Sequence, residues 1–340
     1  MCGEIPTTAR QPTGVTMAQP RSEHSGDDLT IDGPPLEGHA LQRYEQFRWF
    51  CGTGLIGLFA AAYVDQGMQR DVSNATWATG RYENRPLERN MRTMAAGQLV
   101  MWGDAELNAR HLDRIKTLHR EVKGIGRDGK HYSAYSPRAW NLVYLSMFLL
   151  YRNSYTPITG DPLGERDNEI FYRLMWDKMG SLSFTGKASA LPRSYAEAMA
   201  YYDDLLENDL QDTYMLEVGR RLFATPPAPD GLPAVLRPLW PAMSRVAGEV
   251  AITCGMAISR PKVREVFGFP FTRMRRIEFA VMCRILPILY RRAPKRILMT
   301  PLAYNRWQYE QLVHKLEETQ LESFRPDPEL TPQHVSLEGG

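Results

Sequence analysis

One stretch of the chain combines side chains that can do chemistry with apolar residues that would shelter them. Arg89, Arg92 and Thr93 are spaced i, i+3 and i+4, so on a helix they share one face. Two cations and a hydroxyl on one face can bind an anionic or oxygen-bearing ligand. They can equally form a solvated basic edge, and the spacing alone is compatible with both interpretations.

His119 follows in the same stretch, on the apolar stripe of a second predicted helix. The stripe also contains Leu112, Ile115, Leu118 and Val122, at the i, i+3, i+4, i+7 spacing that predicts a buried helix face. A lone imidazole on such a face can be a core residue hydrogen-bonded to a carbonyl. It can also be the axial ligand of a haem iron, which needs a neutral imidazole on a rigid helix in an apolar pocket.

A metal ion held by protein side chains alone is a poorer match for this histidine. His111 lies eight positions before His119, about 80° around the helix and two turns away, so the two imidazoles cannot hold one ion. The chain contains no HExxH motif and no paired ExxH helices of a di-iron bundle. One imidazole on a helical scaffold with 16 methionines therefore favours haem over zinc.

The elements that must position these residues are helices. Helical periodicity recurs along the chain and strand patterns are scarce, which predicts an all-α fold with one multi-helix globular domain and a haem pocket between helices. The candidate residues fall on two helices, residues 86–102 and 104–123, joined at Gly103. Residues 39–68 are predicted to form one long helix. We expect residues 1–38 to be disordered, 39–322 to form the haem-binding domain, and 323–340 to be a loose tail.

Composition limits the class of protein. The 340 residues include 41 Lys and Arg against 39 Asp and Glu, and a net charge of +2 gives no sign of a nucleic-acid partner. Four cysteines without a CxxC pair indicate no disulfide framework, which favours a reducing, cytoplasmic location. The longest apolar run, residues 50–64, is shorter than the ~20 residues of a spanning helix. Peripheral membrane contact and the oligomeric state stay open.

Two other groups of residues have both a functional and a purely structural interpretation. An aromatic stripe could line a ligand cavity, although such stripes are more often core: Trp140, Tyr144, Met147 and Tyr151. A basic run could contact a membrane or an anion, although a solvated helix edge is the simpler interpretation: Arg273, Arg275, Arg276, Arg291 and Arg292.

Several short motifs occur in a definite order along the chain. They are RxxxT at Arg89, an aromatic-Gly-Asp turn at Trp102, HxxVxG at His119, GxxYxAxxP at Gly129 and LPxSxxE at Leu191. In this order and spacing they resemble one haem family, which contains the latex clearing proteins (rubber oxygenases) and the MpaB-type oxygenase of mycophenolic acid biosynthesis. The resemblance extends over about residues 52–301.

The resemblance implies a haem b oxygenase or oxidase that uses dioxygen, with His119 as the proximal iron ligand. Arg89 and Thr93 would take the positions of the family's arginine and threonine near the haem, and Arg92 stands where rubber-cleaving members place a lysine. Because an arginine cannot give up its proton, Arg92 would pair with a propionate or orient a substrate anion. The candidate catalytic residues are therefore Arg89, Arg92 and Thr93, and the candidate haem-binding residues are His119, Arg89 and Thr93.

Two further departures from the rubber-cleaving pattern bear on the reaction. Rubber-cleaving members have a glutamate upstream of the arginine, but residues 70–74 offer only Asp71, and Leu-Val-Tyr at 142–144 replaces Trp-Val-His. We therefore expect oxidation or dehydrogenation of a small hydrophobic metabolite in preference to C=C cleavage. Two other classes stay open: a helical haem- or lipid-binding protein without catalysis, and an all-α scaffold in which His119 is a core residue.

Overall fold

The computed structural model describes residues 30–184, 190–224, 226–228 and 232–319, apart from the side chains of Leu87, Asn90 and Met91. The predictions for residues 1–29 and for the tail 323–340 lie outside these ranges. Residues 30–37, just before the first helix, contact the rest of the chain. The Arg173 guanidinium donates a hydrogen bond to Pro34 O at 2.8 Å, and Arg193 forms an ion pair with Asp32.

Nearly all of the regular structure in the described ranges is helical, so the all-α prediction is confirmed. The α-helices are α1 Gly38–Phe50, α2 Arg70–Thr79, α3 Arg81–Asn84, α4 Pro86–Trp102, α5 Ala105–Glu121, α6 Pro137–Thr159, α7 Glu165–Met179, α8 Tyr195–Asp209, α9 Tyr214–Ala224, α10 Trp240–Ile258, α11 Pro261–Phe267, α12 Arg273–Arg292, α13 Lys295–Leu298 and α14 Pro301–Glu317. The 3₁₀ helices are Gly54–Met68, Gly180–Leu182 and Ala234–Leu239, and a small antiparallel sheet pairs β1 Lys123–Ile125 with β2 His131–Ser133.

The predicted single helix over residues 39–68 is divided in two. α1 ends at Phe50, and the chain continues as the 3₁₀ helix Gly54–Met68, which we call the core segment. At the break, Thr53 Oγ1 donates a hydrogen bond to Leu298 O at 3.3 Å. A Cβ on Gly52 would lie 2.7 Å from Ala303 Cβ, so α14 packs directly against the backbone here. Contacts with residues about 250 positions later, which no local pattern encodes, therefore accompany the break.

The core segment is the centre of the packing, because both α6 and α10 pack on it and α12 packs in turn on α6. Gly255 of α10 lies closest to it. A Cβ there would be 2.5 Å from Ala62 N and 2.7 Å from the Ala61 carbonyl carbon, so only glycine allows this approach. Aromatic rings join α1 to α7, with Phe47 stacked on Phe171 at a centroid distance of 4.6 Å.

A carboxyl group is buried at the end of the apolar run. Asp65 Oδ2 accepts hydrogen bonds from Ser146 Oγ and from Tyr202 OH, each at 2.6 Å. Asp65 Oδ1 accepts a third from the Gln66 N–H at 2.8 Å. Burial raises the pKa of Asp65 to about 6, although these hydrogen bonds oppose the shift. The core segment, α6 and α8 therefore meet at a group whose charge depends on pH.

Asp65 should make the stability of the protein depend on pH. Because the folded protein binds this proton more tightly than the unfolded chain, the contribution of Asp65 is present at low pH and is lost as pH rises towards about 6. Lowering the pH from about 7 to about 4 should raise the free energy of unfolding of the wild type, relative to Asp65→Asn, by about 2 kcal/mol. Urea unfolding of both proteins at the two pH values measures this difference.

A matched change at an exposed carboxyl, Asp113→Asn, should leave the difference from wild type the same at both pH values. If the gap between wild type and Asp65→Asn is also independent of pH, the buried carboxyl does not titrate in this range.

Candidate active site

The candidate residues lie on α4 and α5, which a tight turn joins. Asp104 caps α5, because its Oδ1 accepts a hydrogen bond from the Leu107 N–H at 2.7 Å. A Cβ on Gly103 would lie 2.6 Å from Leu99 O, which leaves no room for a side chain. Trp102 is buried at the end of α4. The aromatic-Gly-Asp motif is therefore the junction that sets where the two helices begin and end.

His119 lies in the last turn of α5, with its two ring nitrogens in different surroundings. Nδ1 is 2.8 Å from Ile115 O, and because a carbonyl can only accept, Nδ1 carries the proton and donates it. In the neutral ring this tautomer leaves the lone pair on Nε2, and no described residue forms a hydrogen bond with Nε2. The ring meets Trp140 edge to face, with a centroid distance of 5.1 Å and an interplanar angle of 83°. A backbone carbonyl that fixes the tautomer in this way is typical of metal-binding histidines.

The prediction that His119 lies on a buried helix face is wrong. Leu112 near the start of the predicted stripe is buried, but Leu118 is more than half exposed and His119 itself is exposed. The periodicity correctly identified the apolar face of α5, but a neighbouring element covers only part of it. If His119 were a core residue, it would be both hydrogen-bonded to a carbonyl and buried. The hydrogen bond is present, but the side chain is exposed.

Two of the sequence motifs are partners across the β1–β2 hairpin. Gly124, from HxxVxG, is paired with Tyr132, from GxxYxAxxP. Val122 O, from the first motif, accepts a hydrogen bond from the Ala134 N–H, from the second, at 2.9 Å. The hairpin thus holds the end of α5 against the start of α6, where the histidine and tryptophan rings meet.

Arg89 is a cation partly removed from water without a counter-ion. Its side chain is half-buried, and its guanidinium lies 5.1 Å from the centroid of the Tyr82 ring. It forms no hydrogen bond or ion pair with any described residue. Burial lowers the pKa of Arg89, while Tyr82 and Tyr63 oppose the change. Because arginine stays protonated in proteins, this position favours an anionic ligand.

Arg92 and Thr93 have different surroundings from Arg89. Arg92 is exposed and forms an ion pair with Glu88, which also pairs with Arg85 at 3.4 Å. Thr93 is exposed, and its hydroxyl donates to Arg89 O at 3.1 Å within the same helix. The face predicted to combine all three residues therefore presents one half-buried cation, one solvated ion pair and one hydroxyl bonded to its own backbone.

Arg89 and His119 lie at comparable distances along the two helices from the turn. Fourteen positions before Gly103 correspond to about 21 Å of helix, and sixteen after it to about 24 Å. Met94 and Leu118, on the same stretches of α4 and α5, are each more than half exposed. The far ends of the two helices thus carry an imidazole and a cation without a counter-ion, with half-exposed apolar side chains at Leu118 nearby and at Met94 in the middle of α4.

A family model described as "ER-bound oxygenase mpaB/B'/Rubber oxygenase, catalytic domain" matches residues 48–288. The chain belongs to this family. The matched range runs from α1 into α12 and contains Arg89, Arg92, Thr93 and His119, and it confirms the family resemblance of the motifs. Membership implies an oxygenase. Searches of curated proteins and of solved structures gave no match.

Other family motifs also have a local structural role in this oxygenase family member. In LPxSxxE, Ser194 caps α8 by accepting a hydrogen bond from the Glu197 N–H at 3.3 Å. Upstream of α4, Asp71 is paired with Arg70 at 2.9 Å. The one acid near the position of the rubber-type glutamate is therefore already engaged by a cation.

The aromatic stripe on α6 is core, as the simpler interpretation predicted. Trp140 is buried and its Nε1–H donates to Leu182 O at 2.9 Å. Tyr144 is buried too, and its hydroxyl has no hydrogen-bond partner among the described residues. Burial raises the pKa of Tyr144 well above its ordinary value, so it stays protonated. No role was predicted for Asp65, although a carboxylate directly after a long uncharged run is a signal that could have singled it out.

Proposed function

We propose that this oxygenase binds haem b through His119 Nε2 and oxidises a small hydrophobic metabolite with dioxygen. The observation that carries the proposal is the hydrogen bond from His119 Nδ1 to Ile115 O. In the neutral ring it fixes the proton on Nδ1 and leaves the Nε2 lone pair available, as an iron ligand requires.

Arg89 would bind a propionate of the haem. Its guanidinium is half-buried without a counter-ion, and a carboxylate would offset the cost of removing that charge from water. The donor chemistry of both residues thus suits haem b, since one offers a neutral nitrogen for iron and the other a cation for a propionate. Met94 and Leu118 add exposed apolar surface of the kind that haem and hydrophobic substrates bury.

A bound haem would supply a redox-active iron for chemistry with dioxygen. The chain would hold the imidazole, neutralise a propionate and present apolar surface to the substrate. Arg92 would have to break its ion pair with Glu88 to bind an anionic group. Because its side chain is an arginine, it would remain protonated there. Asp71 is already engaged in an ion pair with Arg70. Both features favour oxidation or dehydrogenation over C=C cleavage.

A haem titration of the purified protein tests this proposal. The wild type should give a saturable complex with a Soret band, and His119→Ala should bind haem more than about a hundredfold more weakly, because the iron loses its protein ligand. Adding imidazole to His119→Ala should restore the wild-type spectrum, which would not happen if His119 were only structural. His314→Ala, an exposed histidine on α14, is the control. A wild type without a Soret band, or a spectrum unchanged in His119→Ala, would refute the proposal.

A further inference from the structure

The charge of the chain is distributed very unevenly. Residues 234–298, from the last 3₁₀ helix to α13, contain 13 Lys and Arg but only three Asp and Glu, a net charge of +10 in a chain of net +2. The remaining residues are therefore net acidic, at −8. A nearly neutral protein thus concentrates its positive charge in one segment, and this segment includes the long helix α12.

α12 carries an apolar stripe that is about half exposed in the described chain. Its large side chains are between 45% and 64% exposed and are spaced by three or four residues: Met274, Ile277, Val281, Ile285 and Ile288. This spacing places them within about 80° of the helix circumference. Leu286 and Pro287 are buried instead, where α12 packs on α6. We call the exposed stripe the α12 face.

Arginines run along one edge of the α12 face. The helical repeat places Arg273, Arg276, Arg284 and Arg291 together beside the apolar stripe. The first three form no hydrogen bond or ion pair through their side chains with any described residue, and Arg291 donates through Nε to Pro287 O at 3.0 Å. The helix therefore combines an exposed apolar stripe with a row of cations that have no acidic partner in the described chain.

We propose that the α12 face docks onto an anionic lipid surface, with the helix lying in the plane of the membrane. The apolar side chains would enter the boundary between head groups and acyl chains, and the arginines would bind lipid phosphates and carboxylates. The cytoplasmic leaflets of membranes carry the negative charge that this edge complements. In the described chain no helix is both long enough and apolar enough to cross a bilayer.

Electrostatics disfavour a second copy of the chain as the occupant of this face. In an antiparallel pair related by a twofold axis, each edge of α12 would meet the same edge of the other copy, so arginines would face arginines. In a parallel pair the four arginines would meet the opposite edge, where Glu278 is the only acid that α12 contains. A lipid surface offers many negative groups at once and imposes no such register.

Vesicle flotation measures the proposed interaction directly. The wild type should bind vesicles that contain phosphatidylserine, should not bind vesicles of phosphatidylcholine alone, and should be released by salt. Each cation at an anionic surface contributes about a fivefold preference, so Arg276→Gln with Arg284→Gln should weaken binding about thirtyfold. Ile277→Glu with Ile285→Glu should weaken it by at least as much. Leu41→Glu, at an exposed apolar residue of α1, should bind as the wild type does.

Several outcomes would overturn the proposal. If the wild type binds equally with and without phosphatidylserine, or if both double variants retain full binding, this surface is ruled out. A dimer in sedimentation that Ile277→Glu with Ile285→Glu dissociates, without vesicle binding, would assign the face to a second copy. Vesicle binding that appears only after removal of residues 320–340 would assign it to that part of the chain. None of these measurements depends on haem.

Discussion

Arg89→Met is expected to stabilise the haem-free protein and to weaken its affinity for haem. Without haem, the guanidinium is half-buried over Tyr82 with no counter-ion, so an uncharged side chain of similar length removes a desolvation cost of about 1 kcal/mol. With haem bound as we propose, the same change would remove a charge-assisted hydrogen bond to a propionate, and affinity should fall by about thirtyfold, or about 2 kcal/mol. The two effects have opposite signs, which a general packing defect would not produce.

Denaturant unfolding without haem and a haem titration measure the two effects on the same preparation. Arg110→Met is a suitable control, because Arg110 is an exposed cation on α5 with only a long ion pair to Glu106, at 3.9 Å. It should change neither quantity by more than about 0.5 kcal/mol. If Arg89→Met instead destabilises the haem-free protein, Arg89 already has a favourable partner and is not the uncompensated cation that we propose as the binding site of a propionate.

Gly255→Ala should destabilise the fold by about 3 kcal/mol, even though alanine is the better helix former. The added Cβ would lie 2.5 Å from Ala62 N and 2.7 Å from the Ala61 carbonyl carbon, and these backbone atoms belong to the core segment. Backbone atoms cannot change rotamer as a flexible side chain can. α10 would therefore have to move away from the core segment on which it packs.

Thermal or urea unfolding compares this variant with Gly57→Ala. Gly57 lies in the core segment itself, but a Cβ there would meet no described atom within 4 Å. The control should therefore stay within about 1 kcal/mol of the wild type. Equal effects of the two substitutions would mean that α10 does not approach the core segment this closely.

Features of the site that depend on neighbouring residues were predictable from the sequence. Asp104 and Gly103 mark the junction of α4 and α5, because a cap and a tight turn are set by hydrogen bonds and sterics within a few positions. The same holds for Ser194 at the start of α8. The motifs also led to the family, whose model covers residues 48–288.

Burial was predicted less well than secondary structure. His119 lies on the apolar face of α5, as its spacing indicated, yet it is exposed, because neighbouring described elements cover only part of that face. The helix predicted over residues 39–68 is divided where Gly52 and Thr53 meet residues of α13 and α14. In both places the decisive neighbour lies far away in the chain, and periodicity contains no information about it.

By itself, the sequence determined an all-α chain and the family to which it belongs, and it singled out the residues that we propose to hold a haem. The tertiary structure alone decided that Arg89 is a half-buried cation without a counter-ion while Arg92 is paired with Glu88 in solvent. It also decided that the His119 Nε2 is left without a hydrogen-bond partner in the described chain and that the α12 face is exposed. The physical reason is that helix formation and capping follow from hydrogen bonds between near neighbours. Desolvation and pairing of charges, in contrast, depend on which distant elements come together.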